Sequence, residues 1–506
     1  MQQTPKLTVA AEETAGYEWV ALSVTTLGAL LAALQGSALL IALPDILVGL
    51  RASFLTIMWV LLGYLLITTA LVPVIGRLAD MFGRKNLYNA GFLVFTLGSL
   101  AAGLSQAQFH GVDLLIARMI QGVGGALLLT NSTAIVTDAF KSGRVGLGLG
   151  VNQIAAAAGL LLGPVAGGLL TALSWRWVFL INVPLGIFGT IWGIRRLREP
   201  VALPARQQFD WLGSLTFTLG LGALLMALSM VAFPSWGWTI IYVLFVFGPA
   251  LLIAFIFIEL RSPAPMLDVR LFKRRLFAFA NAANLLNGVA RGAVLFLLIF
   301  FLQGPYGKDP LTAGLMMAPF GLAFMAIGPM SGYLSDHHGP RILGTIGLIV
   351  SAIGLAGLAT VTNTTPYWEL AIWMALMGGG SGFFSSPNTS AIMTSVRPEQ
   401  RGMAAGVRMM LAYTGQMLSI AIAFPLVLAK IPQTVMMNIF IYGGGMGKEP
   451  AALATFLHGI HLAFVISAIM SVVAAVASML QPAMARRKEP TPQVAAHVSS
   501  GKASLD

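Results

Sequence analysis

Long apolar runs separated by short polar segments form the dominant pattern along this chain. Runs of 20 or more residues with very few charges recur through its 506 residues. An apolar run of about 20 residues crosses the hydrocarbon core of a bilayer as a helix, and these runs are too long for the alternating strands of a membrane barrel. Lipid admits only helices or closed barrels, so the pattern predicts an all-α integral membrane protein. Fourteen spans are predicted, at 19–43, 53–75, 86–106, 111–136, 146–171, 177–195, 211–232, 238–260, 277–303, 310–333, 342–362, 367–393, 402–429 and 453–481.

Composition supports this class. The chain is 57% hydrophobic and only 9% charged, against about 25% charged in soluble domains. It contains no cysteine, which excludes disulfide and thiol chemistry. No zinc-hydrolase or phosphate-loop motif occurs, so we predict no enzyme, no metal and no cofactor.

The net charge of +12 is distributed as a topology signal rather than as a nucleic-acid surface. Most of the 30 lysines and arginines fall in alternate loops and at both ends of the chain. Because cytoplasmic loops carry this excess, both termini are predicted to be cytoplasmic. The remaining loops contain only Arg51, Arg176, Lys308, Lys430 and Lys448.

The chain contains an internal repeat. "GRLADMFGRK" at 76–85 is similar to "GYLSDHHGPR" at 332–341, and "QGVGGALLLTNSTAIVTDAF" at 121–140 is similar to "MGGGSGFFSSPNTSAIMTSV" at 377–396. Parallel duplicated halves are typical of transporters. The predicted organisation is a leader at 1–18, an N-terminal six-helix half at 19–200, a two-helix insert with a linker at 201–275, a C-terminal six-helix half at 276–481 and a disordered tail at 482–506.

Three motifs carry a family resemblance. The segment between spans 2 and 3 contains Gly76, Leu78, Ala79, Asp80, Gly83, Arg84 and Lys85. "RMIQGVGGA" in span 4 contains Arg118, Gln121, Gly122 and Gly125. "GLLLGPVAGG" in span 5 contains Gly159, Gly163, Pro164, Gly167 and Gly168.

These motifs resemble those of the major facilitator superfamily, and the third resembles the span 5 motif that is typical of its exporting branch. Over about residues 18–481 the chain is similar to the fourteen-span drug:proton antiporters. The resemblance implies a major facilitator fold with two six-helix halves plus two inserted helices. It also implies a monomeric multidrug exporter in the cell membrane, with membrane lipids, small amphipathic substrates and protons as its partners.

The first motif predicts a conformational latch between the halves. Asp80 can face the positive N-terminal end of a helix from the other half. Arg77, Arg84 and Lys85 can pair with Asp138 at the inner end of span 4. The alternative is a merely solvated basic loop. The predicted latch residues are Gly76, Arg77, Asp80, Gly83, Arg84, Lys85 and Asp138.

The span 5 motif predicts a gating helix. Glycines spaced four apart let helices pack closely, and Pro164 can bend the helix. Ordinary helix packing without gating is the alternative.

Charged residues inside spans are costly and mark functional sites by default. Arg118, Arg291 and Arg408 qualify, and for Arg408 snorkelling toward the nearby interface is an alternative. The family pattern near the end of span 1 has an acid where "QGSALLIALP" has Gln35. Arginines without an interior acid favour anionic amphiphiles and weaken the case for proton coupling. Remaining candidates for that coupling are Asp45, Asp113, His458 and His461.

Two functional interpretations therefore stay open. One is a proton-coupled multidrug exporter, and the other is an uncoupled or differently coupled transporter or flippase of anionic lipids or organic anions. A non-transporting sensor of the same fold is a third, weaker alternative. The predicted substrate and proton pathway comprises Gln35, Arg118, Gln121, Asn131, Asn152, Gln153, Asn284, Arg291, Arg408 and Tyr413.

Overall fold

The computed structural model describes residues 16–140, 144–199, 209–232, 237–263, 265–428 and 450–482. Within these ranges all regular secondary structure is helical. Most of the predicted leader, nearly all of the predicted tail and most of the loop before span 14 lie outside the described residues.

The N-terminal half consists of α1 (Tyr17–Gly49), α2 (Phe54–Phe82), α3 (Arg84–Gly103), α4 (Val112–Ala139), α5 (Val145–Leu173), α6 (Trp177–Leu180) and α7 (Asn182–Arg196). The insert is α8 (Trp211–Ala232) and α9 (Trp238–Arg261). The C-terminal half consists of α10 (Arg275–Arg291), α11 (Val294–Gln303), α12 (Pro310–Met316), α13 (Ala318–His338), α14 (Pro340–Leu358), α15 (Tyr367–Thr394), α16 (Arg401–Leu428) and α17 (Pro450–Met479).

Eleven helical stretches in the described part of the chain are long and apolar enough to cross a membrane. The helices α3, α5 and α15, at predicted spans 3, 5 and 12, are not among them. Small and polar residues lower the hydropathy of α3 and α15, which carry many glycines, serines and asparagines. The all-helical membrane class is therefore confirmed, and the number fourteen stays a prediction.

The sequence suggested a loop at 76–85, but the structure shows that this segment is mostly helical. The helix α2 continues through it to Phe82, and only Gly83 separates α2 from α3. Gly83 has a φ of +93°, a conformation that glycine adopts without steric cost. The first motif therefore forms a sharp corner between two helices, and its charged side chains project from helical backbone.

Small residues bring the helices of each half into close contact. In the N-terminal half, a methyl group on Gly98 would lie 2.6 Å from the backbone nitrogen of Gln121 on α4. In the C-terminal half, a methyl group on Gly354 would lie 2.5 Å from the backbone nitrogen of Met377 on α15. The α3–α4 contact thus has a counterpart in the α14–α15 contact, as close packing through glycine allows.

Two helix pairs make the most extensive contacts between the halves. The helix α2 packs against α16, and α5 packs against α13. At the first contact a methyl group on Gly406 would lie 2.8 Å from the carbonyl oxygen of Val72. At the second, a methyl group on Gly150 would lie 2.7 Å from the Cα of Pro329. We call the end of the bundle that carries the α2–α3 corner the basic end.

The insert lies on one side of the interface between the halves. The helix α8 packs against both α2 and α16, and α9 packs against α8. The helix α9 is strongly apolar, and the rest of the protein covers little of it, so that Val246 is 72% exposed. This surface suits contact with lipid.

Single cysteines test the predicted orientation, because the chain has no cysteine of its own. Gln108 and Arg397 are exposed at the opposite end and the basic end respectively. In intact cells, Gln108→Cys is expected to react with a membrane-impermeant maleimide, and Arg397→Cys is expected to react only after the cells are opened. The reverse labelling pattern would show that the basic end faces outward.

Candidate functional site

A buried carboxylate joins the two halves at the basic end. Asp80, near the end of α2, accepts hydrogen bonds from the backbone N–H groups of Gly402 and Met403, both at 2.9 Å. These donors belong to the first turn of α16, whose N–H groups have no partner within the helix. The positive end of the helix dipole also favours a negative charge there. One side chain of the N-terminal half therefore caps a helix of the C-terminal half.

Two arginines complete this contact. Arg84 donates to Asp80 at 2.8 Å and forms an ion pair with Asp138 at the end of α4. Arg401, the first residue of α16, pairs with the other oxygen of Asp138 at 2.9 Å. Arg84 also donates to the carbonyl oxygen of Pro398 at 2.6 Å.

The side chains of Arg84, Asp80 and Asp138 are at most 3% exposed. Charges buried to this extent are tolerated only when they are paired and hydrogen-bonded. The contact therefore depends on the two halves meeting, because the C-terminal half supplies Arg401 and the N–H donors. We call the set Asp80, Arg84, Asp138 and Arg401, with the α16 N–H groups, the latch.

Two predicted members of the latch do not pair as expected. None of the four ion pairs within the described ranges involves Arg77 or Lys85. The Nε of Arg77 is buried without a partner, and Lys85 donates its backbone N–H to Glu199 at 3.0 Å. Arg401 takes the place expected for them. The sequence analysis did not single out Arg401, which is one of many basic residues in the cytoplasmic segments.

Glycines make the latch possible. A methyl group on Gly402 would lie 2.5 Å from an Asp80 carboxylate oxygen and 2.6 Å from the carbonyl oxygen of Gly76. Gly402 therefore lets the backbone of α16 approach that of α2, at the position where α2 carries Gly76 of the first motif.

The repeated segment at 332–341 forms a second contact at the same end. Gly332 lies directly against the carbonyl oxygen of Gly146 on α5. Ser386 on α15 donates its hydroxyl to the same oxygen at 2.8 Å. The side chain of Asp336 lies outside the described residues. The described part of this contact is therefore made by backbone and a hydroxyl rather than by an ion pair.

The span 5 motif mainly packs α5 on α1 of its own half. Methyl groups on Gly159, Gly163 and Gly167 would meet the α1 backbone at 2.8, 3.0 and 2.7 Å. Gly168 differs, since a methyl group there would lie 3.0 Å from Leu311 on α12 of the other half. The side chain of Pro164 lies outside the described residues. The gating role of this motif stays a prediction.

Arg118 belongs to a closed network inside the N-terminal half. Its guanidinium lies over the ring of Tyr64 at 4.3 Å, and it donates to Gln121 and to the carbonyl oxygen of Val60. Gln121 in turn donates to Ser99 at 2.7 Å. Because Arg118 is only 2% exposed, it is held among protein groups.

Arg408 connects the two halves deeper in the bundle. It donates to the hydroxyl of Thr133 on α4 at 3.3 Å, while its Nε is buried without a partner. Its carbonyl oxygen accepts a hydrogen bond from Asn284 at 2.7 Å. Tyr413, one turn further along α16, lies within electrostatic range of both Arg408 and Tyr64. Arg408 thus joins the two halves through a hydroxyl group, with tyrosine side chains nearby, and none of these contacts involves a carboxylate.

Arg291, at the end of α10, is the third interior arginine. It is partly exposed, and its guanidinium lies over the ring of Phe324 on α13 at 5.9 Å. Within the described ranges it forms no ion pair or hydrogen bond. A half-buried cation without an ion-pair partner is suited to meet a negative group brought by a ligand.

The predicted amides whose side chains the structure describes form hydrogen bonds within their own halves. Gln35 is 1% exposed and accepts a hydrogen bond from Asn182 on α7. Asn131 donates to its own helix, and Asn152 links Ser132 to Thr25 inside the N-terminal half. The side chain of Gln153 lies outside the described residues.

Candidate proton carriers are found at the end opposite the latch. Asp113 accepts the backbone N–H of Gln106 at 2.7 Å, and His461 lies 2.6 Å from the carbonyl oxygen of Val361. Loss of hydration raises the pKa of the Asp45 carboxyl. No cluster of three or more metal-ligating side chains occurs in the part of the chain that the structure describes.

Comparison with known proteins identifies the family. A sequence profile of the Major Facilitator Superfamily matches residues 25–420 and 280–504. The chain belongs to the Major Facilitator Superfamily. It is a multi-pass membrane transporter rather than an enzyme, as the motifs predicted.

Several transporters are similar to this chain in sequence or fold. The riboflavin transporter RibZ of Clostridioides difficile (strain 630) is 32% identical over 389 residues, which cover 76% of this chain and 83% of that protein. Multidrug resistance protein 3 of Bacillus subtilis (strain 168) is 31% identical over 402 residues, covering 78% and 77%. The fold is similar to that of the proton:xylose symporter XylE, with a TM-score of 0.62, 14% identity and coverage of 92% and 95%.

The close contact at Gly402 gives a direct test of the latch geometry. Gly402→Ala is expected to force α16 away from α2 and to lower Tm, because overpacking costs about 1–3 kcal/mol. Gly36→Ala is a matched control, since a methyl group there meets nothing within 4 Å. Thermal unfolding of the purified variants distinguishes them, and equal Tm values for both would contradict the observed packing.

Proposed function

We propose that this transporter is a secondary active exporter of amphipathic or hydrophobic compounds across the cell membrane, working by alternating access. The observation that carries the proposal is the latch, a buried contact that needs both halves at the basic end. Forming it closes that end, and breaking it lets the halves separate there. Alternation between these two states moves a bound compound across the membrane.

An adaptable apolar site supports the substrate class. The chain has 24 methionines and 29 phenylalanines, and methionine in particular fills irregular apolar surfaces. The relatives named as multidrug resistance proteins agree with this class. The relative named as a riboflavin transporter makes riboflavin the first single compound to test.

The proposed export is driven by protons that move in the opposite direction. Asp45, Asp113, His458 and His461 are the candidates to carry them, because carboxylate and imidazole groups can bind and release protons. Gln35 stands where the antiporter pattern has an acid, so the proposal places the proton carrier among these other groups.

A second candidate function is favoured by the interior charges. Arg118, Arg291 and Arg408 are buried or half-buried, and the described carboxylates lie at helix ends or in loops. Such an interior attracts negative groups. The alternative is therefore an uncoupled or differently coupled transporter or flippase of organic anions or anionic lipids that uses the same latch.

Proteoliposomes with an imposed pH gradient separate the two candidates. Internal pH is followed while cationic, neutral and anionic amphiphiles are added in turn. Proton movement that depends on substrate supports the antiporter, whereas transport of anions without proton movement supports the second candidate. If no compound in the panel is transported, and riboflavin is not transported either, both candidate functions are contradicted.

Asp80→Asn tests the latch in transport. The neutral amide loses the charge that caps α16 and pairs with Arg84, so we expect transport to fall at least tenfold while the protein stays folded, as for removal of a charged hydrogen bond worth about 1.5–3 kcal/mol. Flux is measured beside Asp309→Asn, which changes an exposed carboxylate at the opposite end. A monodisperse Asp80→Asn protein with unchanged flux would contradict the role of the latch.

Arg291→Ala tests the preference for negative charge. Removing this unpaired guanidinium is expected to weaken transport of anionic compounds severalfold more than that of neutral compounds. Arg397→Ala, which removes an exposed arginine at the basic end, serves as the control. An equal loss for both compound classes would show that Arg291 acts through packing alone.

A further inference from the structure

Glu259 is a buried carboxylate that the latch does not contain. It lies near the end of α9, in the two-helix insert, and is 3% exposed. One of its oxygens accepts the backbone N–H groups of Met266 and Leu267, at 3.1 and 3.2 Å. Its other oxygen, Oε2, is buried without a hydrogen-bond partner. A bare oxygen on an ionised buried carboxylate is costly, and a proton placed on that oxygen neutralises the buried charge.

A continuous series of contacts runs from Glu259 to Asp80. The turn that Glu259 holds continues to Asp268, whose backbone N–H donates to the sulfur of Met403 at 3.4 Å. The N–H of Met403 is in turn one of the two donors that bind Asp80. Met266, Leu267 and Met403 are all buried. The insert therefore touches the first turn of α16 at the residue on which the latch depends.

Charged groups reach Glu259 from two neighbouring elements. Arg77 on α2 lies within electrostatic range of both Glu259 and Asp80, without forming an ion pair with either. Asp210, which caps the start of α8, lies within range of Glu259 and has one buried oxygen without a partner. The carboxylate of Asp268 is engaged by the backbone N–H of Arg270 at 3.1 Å.

We propose that Glu259 is a proton-binding site through which the two-helix insert controls the latch. The ionised carboxylate holds residues 266–268 with charge-assisted hydrogen bonds, which are roughly twice as strong as neutral ones. Protonation weakens these bonds, loosens the support of Met403 and frees the first turn of α16 from Asp80. Loss of the negative charge on Glu259 would also leave Arg77 to act on Asp80 alone, which favours the closed latch. Because Arg77 forms no ion pair with either carboxylate, we expect the direct hydrogen bonds to decide the direction.

Reactivity of a buried thiol measures the state of the latch. Val72 is fully buried on α2 and lies against Gly406 of the other half. In this cysteine-free chain, Val72→Cys gives a single thiol that reacts with N-ethylmaleimide only when the contact opens. Rates are corrected for the thiolate fraction with a solvent-exposed control, Arg397→Cys. In proteoliposomes without substrate, the corrected rate at Val72→Cys is expected to rise about tenfold as pH falls, the factor for weakening one hydrogen bond by ~1.4 kcal/mol.

Glu259→Gln mimics the protonated carboxyl and is the decisive variant. It is expected to show the high rate at every pH, whereas Asp309→Asn, which alters another carboxylate that accepts a backbone N–H group, keeps the pH response of the Val72→Cys protein. Met403→Leu removes the sulfur acceptor at similar volume and is expected to abolish most of the response. A pH response that persists in Glu259→Gln, or one that persists fully in Met403→Leu, would overturn the proposal, as would a parent protein with no response.

This inference rests on the latch role proposed above, and Asp80→Asn in the same assay separates the two. If Asp80→Asn leaves the reactivity of the thiol unchanged, the latch itself fails and the role of Glu259 falls with it. If Asp80→Asn raises the reactivity but Glu259→Gln does not, the latch stands and the proton site is excluded.

Discussion

The cap that Asp80 places on α16 is the interaction on which the arrangement of the two halves depends. It buries a carboxylate between helices that belong to different halves, and a carboxylate in such a position needs every donor it has. Arg84 and Arg401 supply charge on one side, and the helix N-terminus supplies N–H groups on the other. A buried contact of this kind is either fully formed or released into water, since a half-satisfied network costs more than either state. Such all-or-none behaviour suits a gate.

Deeper in the bundle the charges are not balanced. The latch pairs its two carboxylates with two arginines, whereas Arg291 forms no ion pair within the described ranges. Gln35 contacts Asn182 rather than a charged group. The latch is therefore electrically balanced, whereas the interior is positive. A negative or strongly polarised ligand would complete the interior in the way that Arg401 completes the latch.

Periodicity and motifs were enough to predict the helical class, the superfamily and the position of Asp80 at a helix N-terminus. They could not show that 76–82 is helical, because a charged segment between two apolar runs resembles a loop. They also could not choose Arg401 over Arg77 and Lys85, since the choice depends on how α16 meets α4 in space. Glu259 was passed over for the same reason, as its burial is created by the turn at 266–268 and not by its own helix.

Distances between spin labels test the central claim, that the latch alternates between closed and open states. Labels at Asn86 and Arg397 report the basic end, and labels at Gln108 and Asn363 report the opposite end; all four sites are exposed. Two distances are expected for each pair in lipid. Asp80→Asn is expected to shift the basic-end pair to the longer distance and the other pair to the shorter one. A single distance at the basic end that Asp80→Asn leaves unchanged would contradict the alternation of the latch.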